Sequence, residues 1–185
     1  MKLKTNIAGT IISIFIILIL LGCRKDHTFQ VDSGFILSSP EIGSDSLLPA
    51  DYTCDGISAT LPLNWTGVPG NTVSLAIIMH HVTSPTDIHW YWVIYNIPAS
   101  ITSFPRNMTG IGILGTNSVN DKTIYAPPCS QGPGIKAYTY TIYALSKNPV
   151  IPVAPDKVTR DVLLNAIEDI TISSAKMTVY YSRNI

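Results

Sequence analysis

The stretch Ser74 to Pro98, SLAIIMHHVTSPTDIHWYWVIYNIP, constrains the fold more than any other part of the chain. Its two apolar runs, Ser74 to Met79 and Trp90 to Tyr95, are rich in β-branched and aromatic residues and bounded by turn formers, which predicts paired central strands rather than a helix. Between them lie His80, His81, Thr83, Ser84, Asp87 and His89, three of the chain's four histidines among them. Imidazoles, hydroxyls and a carboxylate are thereby gathered at one edge of a sheet, where a rigid β scaffold can hold a small binding site. A histidine beside a strand end also serves simply as a hydrogen-bonded surface residue.

The rest of the chain is β-like in the same way. Thirteen prolines and twelve glycines punctuate a sequence that is 46% hydrophobic, which fits a loop-rich β protein better than a helical bundle. A first strand is expected at Gly34 to Ser38, a short extended piece at Leu61 to Trp65, a Pro-Gly turn at Val68 to Asn71, a strand at Ala137 to Leu145 with two semi-apolar faces, and a half-buried strand from Ala175 to Ser182. Val158, Val162, Leu163, Ala166, Ile167 and Ile170 recur at helical spacing behind Asp156 or Thr159 as cap, with Pro155 just outside. At 185 residues the chain is long enough for one substantial core. Twelve Lys and Arg balance twelve Asp and Glu, without a basic run, so a nucleic-acid partner is set aside.

The amino terminus carries a separate signal. A short basic start, Met1 to Lys4, precedes an apolar stretch from Ile7 to Leu21 that ends in Leu20-Leu21-Gly22-Cys23. This resembles a bacterial lipoprotein signal, whose final cysteine is lipidated and becomes the first residue of the mature chain. A membrane-spanning helix needs about 20 apolar residues, more than are present here. Residues 1–22 are therefore read as signal peptide, 23–33 as lipidated cysteine and tether, and 34–185 as the domain. Loss of Lys2 and Lys4 leaves the mature part a net charge of −2. The expected location is the bacterial cell envelope, with the membrane as partner through lipid on Cys23; Arg24 after it leans toward the outer membrane in a diderm host. Cys54 and Cys129 remain as an even pair in a disulfide-permissive compartment, either bridged or as two separate small hydrophobes.

Six ordered blocks carry a family resemblance: Tyr52 to Gly56, Leu61 to Pro69, Ser74-Leu75-Ala76, His89-Trp90, Tyr95 to Pro98 and Tyr143-Ala144-Leu145. From about residue 34 to the end the chain resembles the phosphatidylethanolamine-binding protein family, in its bacterial YbhB/YbcL-like, Raf-kinase-inhibitor-like branch. The resemblance implies a mainly all-β fold, a β-sandwich of two antiparallel sheets with one or two short helices, one near the C-terminus. It further implies a small pocket at one end for phosphate-like or other small anions, without implying catalysis. The pocket segments depart from the family pattern. Where the family runs D-P-D-A-P, this chain has His81-Val82-Thr83-Ser84-Pro85, and the family's H-R-Y is matched by Lys136-Ala137-Tyr138, so two acids are lost and an ammonium replaces an imidazole.

The expected binding residues are His81, Thr83, His89 and Lys136 as polar and charged donors, and Trp90, Tyr125 and Tyr138 as apolar wall. The segment Tyr125 to Gly134, with Cys129, Ser130 and Gly132, either turns its backbone N–H groups toward an anion or is simply a rigid turn before a strand. The partner is a small anionic or phosphate-like ligand, and no cofactor or resident metal is required. Three alternatives stand beside this reading. His80, His81 and His89 have the ligand chemistry of a metal hydrolase, although adjacent strand residues point to opposite faces. An inhibitor or interaction module would act on an extracytoplasmic protein. A nucleophile built from Cys129-Ser130, histidine and Asp87 lacks any G-x-S-x-G elbow, and no catalytic residue is assigned.

Overall fold

The computed structural model describes residues 34–131 and 133–183. The leader, Cys23, the tether and Gly132 lie outside the described residues. In chain order the strands are β1 (Ile36–Ser38), β2 (Leu63–Thr66), β3 (Ser74–Ser84), β4 (Asp87–Pro98), β5 (Ser103–Phe104), β6 (Ile113–Leu114), β7 (Lys136–Leu145) and β8 (Thr171–Tyr181). One α-helix, α1 (Arg160–Ile167), precedes β8, and 3-10 turns occupy Ala50–Tyr52, Pro155–Lys157 and Glu168–Ile170.

The strands form a three-stranded sheet, β1-β2-β5, and a five-stranded one, β6-β4-β3-β7-β8, all ladders being antiparallel. β3 lies at the middle of the larger sheet, as its unbroken apolar run predicts. Leu75, Ile77 and Met79 face inward with Ile94, Tyr140 and Ile142, packing against Leu37, Leu63, Trp65 and Phe104 of the small sheet. The residues between them turn to the other face, where Ala76, Ile78, Val93 and Tyr95 pack on Leu163 and Ile167 of α1. That helix begins at Thr159, whose Oγ1 accepts from the Val162 N–H at 3.3 Å. The expected alternation of the last two strands is also found, with Tyr138, Tyr140, Ile142 and Ala144 of β7 and Ala175 and Val179 of β8 buried in the main core.

The central hairpin is longer than its apolar runs suggest. His80 to Ser84 and Asp87 to His89 continue the ladder instead of looping, leaving only Pro85 and Thr86 at the turn. Three register shifts interrupt the pairing of β4 with β3, the one next to the turn leaving Thr83 of β3 as the extra residue and the other two lying on β4. Ala76 is opposed by both Tyr95 and Asn96, the latter at φ +54. Nearer the turn, Met79 pairs with Trp92 but His80 pairs with Trp90, so Tyr91 is the extra residue.

His80 continues the face of Ala76 and Ile78 toward α1 and is half-buried, with its Nδ1 unpartnered. Burial first, then the positive charge of Arg160 and Lys176, pushes its pKa down to about 4, from 6.5. The unfolded chain therefore holds the extra proton between these values, so the stabilisation is whole above about pH 6.5 and is lost as pH falls toward 4. Urea unfolding at pH 7 and pH 4.5 is expected to show a loss of about 1–2 kcal/mol from this residue, discounted for the water that reaches the ring. The His80→Gln variant should lose less by that amount; equal losses would assign the acid sensitivity elsewhere.

Candidate functional site

The hairpin end of the five-stranded sheet carries a pocket of about 430 Å³. β3 contributes His81 and Thr83, β4 contributes His89 and Tyr91, and β7 contributes Lys136 and Tyr138. Two loops complete it, with Ser118 and Val119 on one side and Cys129, Ser130 and Gln131 on the other.

The β ladder sets the central geometry. His81 and His89 are directly paired across the hairpin and so share a face. The His81 Nδ1 lies 2.8 Å from the Ala137 carbonyl, which can only accept, so Nδ1 carries a proton and Nε2 is the nitrogen left for a ligand. The His81 ring packs beside Tyr138, centroids 5.4 Å apart, and Tyr138 meets Tyr91 edge to face at 5.3 Å. Burial, the largest cause in each case, raises the pKa of both phenols, so they stay protonated at ordinary pH. His89 Nε2 lies 3.4 Å from Asp87 Oδ1 at the open rim. Among the described residues no carboxylate lines the pocket, while Lys136 supplies an ammonium. The lining thus offers an ammonium and two imidazoles beside neutral hydroxyls, donor types that suit an anion.

The Cys129 wall is held from outside. Cys54 and Cys129 are joined by a disulfide across a sequence separation of 75, which resolves the two readings of that pair and leaves Cys129 no thiol to act as nucleophile. The Cys54 N–H donates to the Pro128 carbonyl at 3.0 Å. Arg183 donates to the Ser130 carbonyl at 3.4 Å and pairs with Asp55 at 2.6 Å. Asp55 also accepts from the Tyr181 hydroxyl; that bond first, and Arg183 beside it, hold its carboxyl below the usual range.

The opposite wall depends on Asn117, fully buried and absent from the expected set. Its Nδ2 donates to Asn120 Oδ1 and to the Lys122 and Ile124 carbonyls, and its Oδ1 accepts from the Val119 and Asn120 N–H groups. Ser118 is committed to the Trp90 backbone, accepting from its N–H at 2.9 Å and donating to its carbonyl at 3.2 Å. The Asn-Ser pair within a turn-rich segment is the available sequence signal, but spacing does not say which asparagine turns inward. Asn117→Ala would strand buried carbonyls and N–H groups, at a cost of about 2–4 kcal/mol. Thermal unfolding should show it, and a change below about 0.5 kcal/mol, the size of an ordinary surface substitution, would contradict this role for the loop.

Of the residues expected at the site, the structure brings together His81, Thr83, His89, Cys129, Ser130, Lys136 and Tyr138. Gly132 lies outside the described residues. Trp90 is a correction: its indole donates to the Thr116 carbonyl at 2.8 Å and its ring packs on the α1 side. The Tyr91 bulge is the cause. Strict alternation from Trp92 would turn Trp90 inward, and one extra residue gives the pocket face to Tyr91 and His89 instead. Tyr125 is the second correction, since its hydroxyl donates to the Tyr52 carbonyl and its ring lines a different cavity. The metal alternative is also not assembled, because His80 faces α1 while His81 and His89 face the pocket. Among the described residues no group of three or more His, Cys, Asp or Glu is placed to hold a metal ion.

Residues 38–182 match the family model described as phosphatidylethanolamine-binding protein. A UPF0098 protein of Methanothermobacter thermautotrophicus is 36% identical over 141 residues, spanning 74% of this chain and 91% of that one. The UPF0098 protein YbcL of Escherichia coli is 28% identical over 104 residues, spanning 56% and 54%. The fold is shared with the crystal structure of YbcL, at a TM-score of 0.73 and 23% identity, covering 82% of this chain and all of the other. It is likewise shared with a PEBP homolog, CT736 of Chlamydia trachomatis, at 0.73 and 22%, covering 82% and 99%. On the family match and this fold, the chain belongs to the phosphatidylethanolamine-binding protein family.

Proposed function

We propose that this protein is a lipid-anchored envelope protein that captures a small anion, phosphate or a phosphate-like polar head group, in the pocket at the hairpin end of its larger sheet. The observation that carries the reading is the convergence of His81, His89 and Lys136 on one concave face, with no carboxylate among the described lining residues. Affinity comes from charge-assisted hydrogen bonds, and the buried Tyr91 and Tyr138 rings exclude water behind the anion. Binding does not require chemistry on the ligand, and Cys129, in its disulfide, offers no thiolate for any. The anchor rests on the sequence ending at Leu20-Leu21-Gly22-Cys23, and radiolabelled palmitate should enter the wild-type chain but not a Cys23→Ser variant. The named ligand class of the family, phosphatidylethanolamine, contains such a phosphate head and supports the same reading.

Calorimetric titration with sulfate should give binding at least tenfold weaker for a His81→Ala, His89→Ala double variant than for the wild-type protein, because both ring donors leave the pocket face. Unchanged affinity would remove the imidazoles from the proposed contacts, and tighter binding in the double variant would reverse the proposal.

A further inference from the structure

A second and larger cavity, of about 600 Å³, lies at the β6 edge of the same sheet. Its chemistry is the opposite of the first. Trp92, Met108, Ile111, Leu114, Ile124 and Tyr125 supply most of its wall, and among the described residues no charged side chain lines it. Ser58, Thr60, Asn107, Thr109 and Thr123 supply hydroxyls and an amide. Tyr125, whose hydroxyl is engaged by the Tyr52 carbonyl, shows the cavity its ring, and that ring packs edge to face on Trp92 at 5.7 Å.

The wall is built rather than collapsed. Asn107 Oδ1 accepts from the Thr60 N–H at 3.3 Å, and the Met108 N–H donates to Thr60 Oγ1 at 3.2 Å, so the 107–114 loop is tied to the segment before β2. Gly112, at φ +73, lets that loop lie against β4, since a Cβ there would meet the Tyr95 carbonyl oxygen at 2.8 Å. At the mouth, Ile124 is 46% and Ile113 38% exposed, which leaves apolar area in water unless something covers it.

We propose that this cavity is a second ligand site and takes an uncharged, mostly hydrocarbon molecule ending in a hydroxyl or ester. The volume falls within the ordinary range for small-molecule sites, roughly 300–1,000 Å³. An ion is disfavoured as occupant because none of the described lining residues carries a charge to pair with it. The polar groups pair instead with one or two oxygens of a neutral end, and the apolar wall receives the chain.

The test titrates the purified protein with 1-decanol and with decanoate, following backbone amide shifts by NMR. Decanol should give saturable shifts at residues 108–114 and 123–125, and decanoate should bind at least tenfold more weakly. Ile124→Asp, at a partly exposed position, should weaken decanol at least tenfold while leaving sulfate affinity at the other pocket unchanged. Thr109→Trp, which occupies the cavity without adding charge, should do the same. Decanol shifts that do not saturate, that map to residues 81–91, or that survive both substitutions would overturn the proposal. So would equal affinity for decanoate, or sedimentation of the unlipidated Cys23→Ser variant with neutral vesicles in the absence of any decanol binding, which would make the face a membrane contact.

Discussion

Replacing both Cys54 and Cys129 by serine is expected to lower the stability of the domain by about 4 kcal/mol, because the bridge closes a loop of sequence separation 75 in the unfolded chain. Against the ~5–15 kcal/mol typical of a domain, that is a large fraction. Thermal unfolding should show a melting temperature lower by roughly 10–15 °C for a chain of this size. The same substitution should weaken anion binding, since Cys129, Ser130 and Gln131 form one pocket wall and the bridge is its covalent hold on the Cys54 loop. The Arg183 contacts to Ser130 and Asp55 remain and keep the wall partly placed. A shift of less than about 3 °C would mean that the unfolded chain is already constrained by other means, and would contradict the staple role.

Lys136→Glu should have the larger effect on function and a small one on stability. Lys136 is the first residue of β7, half-buried at the end of the ladder opposite Tyr181, so the backbone pairing survives the change. The charge reversal exchanges an attraction for a repulsion of an anion in the pocket, and sulfate affinity should fall by roughly 100-fold or more. Lys157→Glu is the control: Lys157 lies in an exposed 3-10 turn beside Asp156 and should leave sulfate binding unchanged. If Lys136→Glu weakens sulfate by less than threefold, the anion does not sit where the lining places it.

How much of this is legible in the residues depends on whether the information is local. The apolar alternation of Tyr138, Tyr140, Ile142 and Ala144, and the cap at Thr159, are local, and both are readable. The histidines' membership of the strands is not, because His80 to Ser84 lack the apolar pattern that marks a strand and are held by cross-strand pairing with Ile88, His89 and Trp90. The exchange of Trp90 for Tyr91 turns on a single bulge, which no periodicity argument detects. Asn117 is invisible for another reason: its value lies in five hydrogen bonds inside one loop, and other turn asparagines share its composition. The Cys54 to Cys129 bridge needs a spatial separation that sequence does not contain. His81, His89 and Lys136 stand out from residue chemistry and family resemblance together, and the geometry places all three on one pocket.

Anion capture by the hairpin-end pocket is tested most directly by a crystal structure of the protein, purified without chelator and soaked in phosphate, with anomalous data collected at the zinc edge. The predicted result is oxyanion density among His81 Nε2, His89 and Lys136 Nζ, against the Ser130 wall, and no anomalous signal there. A metal held by two or more of the histidines, or a phosphate bound elsewhere with this pocket left to water, would contradict it.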